Sequence, residues 1–77
     1  MSERKRYSIV YAPRKSLIND DFFTSFEAVH KVLKRGEEVT VAIETLFQGR
    51  WDCEGYKQVG KDKKGICWTQ RSIAYEY

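Results

Sequence analysis

Cysteine, proline and histidine are scarce in this chain: two, one and one among 77 residues. Each scarcity excludes something. Cys53 and Cys67 stand alone, fourteen positions apart, and are too few for a disulfide scaffold. A hairpin loop flanked by Gln58 and Ile66 would separate them by several rungs, so reduced thiols are expected, packed inside as small hydrophobes. With His30 the chain offers only three soft ligands, none in a closely spaced pair, and structural zinc takes four. No metal site and no cofactor is expected. A lone histidine beside Phe26 and Leu33 on a helical face is a boundary residue, and no nucleophile motif accompanies it.

Long apolar runs are also missing. "MSERKRY" has a positive start without the apolar segment of a signal peptide, and nothing approaches the roughly 18 residues of a membrane span. The expected location is cytoplasmic, with no membrane partner. No glycine-rich loop follows a strand to open a helix, so nucleotide-fold phosphate binding is unsupported. Asp20–Asp21 and Glu37–Glu38 sit in a turn and between elements, where solvation explains them. Acid–base catalysis would need two carboxylates in unlike environments. No enzymatic activity is expected.

What is present suits one small folded domain. Hydrophobic residues make up 42% and aromatics 14%, too many for a disordered chain. Net charge is +3, which allows an anionic partner without demanding one. Residues 1–6 read as a flexible basic tail and 7–77 as a single α+β domain.

Tyr7–Ala12 is rich in β-branched and aromatic residues and reads as a strand, stopped by Pro13. Tyr7, Ile9 and Tyr11 would share one face, with Ser8, Val10 and Ala12 on the other. "TSFE" places Thr24 three residues before Glu27 as a capping box, and Phe26, Val29 and Leu33 repeat at helical spacing. Lys34 and Arg35 suit the negative helix end and Gly36 the stop, so the helix is predicted over Ser25–Arg35. Glu37–Leu46 alternates as a half-buried strand, with Val39, Val41 and Ile43 inward. Gln48–Gly49 offers a turn, a second strand resumes at Arg50 with a bulge near Gly55, "GKDKKG" forms a loop, and Ile66–Tyr77 is a further strand. The expected architecture is a mainly antiparallel four-stranded sheet in the order β-α-β-β-β, with one helix on one face. Ile9, Phe26, Val29, Leu33, Val39, Val41, Ile43 and Trp68 are the expected core.

Function is then sought in contact rather than chemistry. Arg50–Arg71 mixes cations with flat rings, and eleven aromatic side chains exceed what this sheet needs to bury. Arg50, Trp51, Tyr56, Lys61, Lys63, Lys64, Arg71 and Tyr75 are the candidate partner-binding residues, as aromatic anchors among cationic steering groups. The expected function is a small binding module, of inhibitor or adaptor type, that occupies a surface of a larger protein or nucleoprotein complex; a second copy of the chain is among the partners it would suit. The alternative is direct DNA or RNA binding, with the same residues as stacking platforms and phosphate ligands. Trp51 and Trp68 could instead be core, and Asp52, Glu54 and Asp62 interrupt the basic run.

Overall fold

A computed structural model describes residues 4–19 and 21–70. Its elements are β1 (Arg4–Tyr11), a single 3-10 turn (Lys15–Leu17), α1 (Phe26–Val32), β2 (Glu38–Phe47), β3 (Arg50–Lys61) and β4 (Cys67–Thr69). The fold is α+β, as expected: one four-stranded sheet in the spatial order β1-β2-β3-β4, every pairing antiparallel.

The β2–β3 hairpin dominates. Phe47 pairs with Arg50 across Gln48 and Gly49, whose φ angles of 50° and 74° suit the right-handed twist of a two-residue hairpin turn. The register shifts once, where Ile43 faces Gly55 and Glu44 faces Cys53, leaving Glu54 as the extra residue. This is the bulge expected at Gly55, whose φ is 154°. Lengthwise, β3 is longer than expected. Gly60 and Lys61 belong to it, pairing with Trp68 and Cys67, so the charged loop shrinks to the turn after Lys61.

Alternation sends Val39, Val41 and Val59 to one face, where α1 covers them with Val29 and Leu33; Ile9, Ala12 and Leu17 complete this core. Val29, Val39, Val41 and Val59 are the largest fully buried side chains. Stiff β-branched residues suit the close approach of a short helix to a pleated surface. Phe26 packs against this core only in part.

Four local expectations are corrected. β1 starts at Arg4, not Tyr7, because Lys5 and Arg6 find carboxylate partners within the sheet, Glu54 and Glu44. Tyr11 does not share the face of Ile9: the register shifts between them, Tyr11 is 64% exposed, and Ala12 turns inward instead. Ser25 caps the helix in place of Thr24, its Oγ accepting from the Ala28 N–H at 3.2 Å. The helix ends sooner than expected, at Val32, with Leu33 already extended. Lys34–Glu37 then forms a turn closed by the Glu37 N–H to the Lys34 carbonyl (3.1 Å), with Gly36 at φ 83°.

Trp68, also expected in the core, is outside it. It lies half-buried across from Gly60, on the face away from α1. A Cβ at Gly60 would come within 2.6 Å of its ring and 2.7 Å of the Glu37 carbonyl oxygen. Gly60→Ala should therefore destabilise the domain by about 1–3 kcal/mol through overpacking. Val41→Ala should cost about 2 kcal/mol by removing two buried methyl groups. Urea unfolding checks both; an unchanged midpoint for Gly60→Ala would contradict the packing described.

Candidate interaction site

The face of the sheet opposite α1 carries Arg6, Ser8, Thr40, Ala42, Glu44, Trp51, Tyr56 and Gln58 by register. No helix among the described residues covers it. At the hairpin end of this face the Arg6 guanidinium carbon lies 3.9 Å from the Phe22 ring centre and 4.2 Å from that of Trp51. The planar cation is thus held between two rings, a favourable arrangement for cation–π attraction. Glu44 orients it, accepting from Arg6 Nε at 2.8 Å.

Phe22 reaches this position because Phe23 pairs with Tyr7 along the outer edge of β1, with N–H···O distances of 2.7 and 2.9 Å. Phe22 is 51% exposed. At the hairpin turn Phe47, 62% exposed, pairs with the exposed Arg50, both by register on the other face of the sheet, with Thr45 and Asp52. Aromatic rings and arginine therefore concentrate at one end of the molecule. Towards the middle of the face opposite α1, Tyr56 is half-buried and Gln58 Nε2 donates to Thr40 Oγ1 at 2.8 Å.

The other end of β3 is basic. Lys63 and Lys64 are exposed in the turn before β4, whose geometry Asp62 fixes by accepting from the Lys64 and Ile66 N–H groups at 2.8 and 2.9 Å. Lys61 is not part of that tip. Its Nζ donates to the Leu33 carbonyl at the end of α1, 3.0 Å away, where the helix dipole favours a cation.

His30 supports the same corner. Its Nε2 lies 3.0 Å from the Trp68 carbonyl, so Nε2–H is the donor and ties α1 to β4. This is the structural role expected of it. Nearby, Arg14 grips Glu37 with two hydrogen bonds of 2.9 Å and donates to the Val32 carbonyl at 3.0 Å. The Lys34 N–H also donates to Glu37, at 2.6 Å. Arg14 first, then the Lys34 amide, hold the Glu37 carboxyl at about 2, below its ordinary 4.5, against the opposing effect of burial. Across the sheet, the Thr45 hydroxyl and Lys5 lower that of Glu54 in the same way.

The expected contact residues do not form one patch. The twelve residues of β3 span roughly 35–40 Å, so Arg50 and Trp51 lie at one end of it and Lys63 and Lys64 beyond the other. Tyr56 lies between them, Lys61 is committed to the helix, and Arg71 and Tyr75 fall outside the described residues. The cysteines are free but exposed, contrary to the expected burial. Cys53 sits opposite Glu44, and Cys67 is opposite Lys61, eight residues further along β3 and about 26 Å away. Burial failed because the bulge and the short edge strand leave both thiols uncovered.

Two groups escaped sequence reasoning. Arg6 falls in the stretch that reads as a tail, although its place one residue before "YSIVYA" puts it in phase with Ser8. Lys34 and Arg35 read from the sequence only as a helix end, and nothing local shows that the turn after β3 folds against them. Among the described residues no group of three or more His, Cys, Asp or Glu could hold a metal, and no helix is long and apolar enough to cross a membrane. Comparison with protein-family models, curated proteins and solved structures finds no match.

Acidification should test the Arg14–Glu37 brace. The folded-state acidity of Glu37 lies below its unfolded value, so its contribution is complete above about pH 4.5 and is lost as the pH falls towards 2. Glu37→Gln should lower stability at pH 7 and flatten the stability profile between those pH values. Equal acid sensitivity in both proteins, measured by urea unfolding, would show that the brace contributes nothing.

Proposed function

We propose that the chain is a non-enzymatic binding module, of inhibitor or adaptor type, that docks on a protein partner through the Trp51 end of its helix-free sheet face. The carrying observation is the Phe22–Arg6–Trp51 stack. Tryptophan and arginine are the side chains most enriched in binding hot spots. Here they are already ordered against each other, so little side-chain entropy remains to be lost on binding. Arg50 and the exposed Phe47 lie at the same hairpin end, on the other face of the sheet.

The stack favours a protein over stacked bases as the partner at this end. Both ring faces turned towards Arg6 are occupied, and Glu44 neutralises the cation between them. Lys5 is likewise paired with Glu54. A phosphate backbone would find Arg6 and Lys5 already paired with carboxylates, leaving the exposed Arg4 and Arg50 at this end.

Affinity capture from an extract of the source cells tests the reading, with variants first shown to be folded by circular dichroism. Wild type should retain a protein that survives nuclease treatment and 0.5 M salt. Trp51→Ala should reduce its retention about 30-fold, as loss of a hot spot of about 2 kcal/mol implies. Phe22→Ala should act in the same direction and serves as the probe if Trp51→Ala is unfolded. Retention that ignores both substitutions, or that vanishes with nuclease, would overturn the proposal.

A further inference from the structure

The basic end of the molecule has a construction of its own. Three segments meet there: the turn that follows α1, the end of β3 and the turn into β4. The Gly36 N–H donates to the Lys61 and Asp62 carbonyls at 2.9 and 3.2 Å, and the Lys61 N–H donates to the Glu37 carbonyl at 2.9 Å. A Cβ on Gly36 would lie 3.9 Å from Lys63 Cγ, and one on Gly65 would lie 3.3 Å from Arg35 Nε. Lys34, Arg35, Lys63 and Lys64, nearly thirty residues apart in sequence, thus project from two braced turns, and all four are exposed.

The carboxylates nearby offset this charge only in part. Glu37 is matched by Arg14. Asp62 is turned into its own loop, where it accepts from two backbone N–H groups. Glu38 is exposed at the start of β2, opposite Gly60, and is the one acid here with no such engagement shown. Lys61, bound to the Leu33 carbonyl, adds a fifth cation.

We propose that Lys34, Arg35, Lys63 and Lys64 form a second contact site, which takes the sugar–phosphate backbone of a nucleic acid without reading its sequence. This goes beyond the docking surface proposed above and lies at the opposite end of β3. The chemistry selects a phosphate backbone over an acidic protein surface. A protein interface is built around an apolar centre, whereas four exposed cations project here, and the exposed hydrophobes Ile66 (60%) and Val32 (38%) stand on different elements, the turn into β4 and the end of α1. Phosphates require cations alone, and counterion release supplies the driving force. Anchored turns keep the cations from dispersing.

Fluorescence anisotropy with labelled twelve-base-pair DNA and RNA duplexes, and with the matching single strands, tests this on the full chain across 50–200 mM salt. Four phosphate contacts predict a slope of log affinity against log salt of about −3.6 on duplex DNA, or about 150-fold weaker binding over that range. Lys63→Ala/Lys64→Ala should bring the slope to about −1.8, and Lys34→Ala/Arg35→Ala should do the same. Arg4→Ala, at the far end of β1, should leave it unchanged. No binding at 50 mM salt, a wild-type slope of −1 or shallower, or slopes that ignore both double variants would overturn the proposal. So would polyglutamate competing as well as the oligonucleotide, which would assign this end to acidic proteins. The titration uses no protein partner, so its failure is distinct from failure of docking at Trp51.

Discussion

A helix of seven residues has to close one face of a sheet whose longest strand has twelve. It is about 10 Å long, against roughly 40 Å for β3. The rest of the structure follows from that mismatch. Close approach is needed where the helix does reach, and Val29, Val39, Val41 and Val59 provide it. Outside its reach both ends of the β2–β3 hairpin project from the core, and the opposite sheet face has no helical cover among the described residues. A short helix is also weakly stable by itself, so its C-terminal end is fastened from several sides, by Arg14 on Val32, Lys61 on Leu33 and His30 on Trp68.

Much of this was legible because it is local. Alternation in "EEVTVAIETL", the Gln48–Gly49 turn and the bulge glycine Gly55 each carry their signal within a few residues, and each appears where expected. The errors fall where a partner strand decides. The shift that sends Tyr11 outward and Ala12 inward is a property of the pairing with β2, and the apolar run Ile9–Ala12 carries no local mark of it. Choosing Ser25 over Thr24 as the cap depends on which residue is held extended by the chain's return from Phe23, and either side chain could have served. The size of Trp68 suggests core, yet a three-residue edge strand paired with Gly60 places it on the side away from the helix.

The candidate surfaces divide along the same line. Lys63 and Lys64 announce a solvated tip from sequence alone, and Trp51 with Arg50 announces an anchor. Only tertiary structure reveals that Lys34 and Arg35 join the first pair, and that Arg6 and Phe22 join the second. Composition had merged them into one basic, aromatic stretch. Strand length separates them into an aromatic end at the hairpin turn and a basic end at the turn into β4.

The central claim is that Trp51 stands on the face away from the helix, stacked on Arg6. Nuclear Overhauser contacts in the free protein test this most directly. The account predicts contacts from the Arg6 side-chain protons to both the Trp51 and Phe22 rings, with upfield ring-current shifts for those Arg6 protons, and none from Trp51 to Val29 or Leu33. Contacts between the Trp51 indole and Val29 or Leu33 would place it in the helix-covered core and contradict the account.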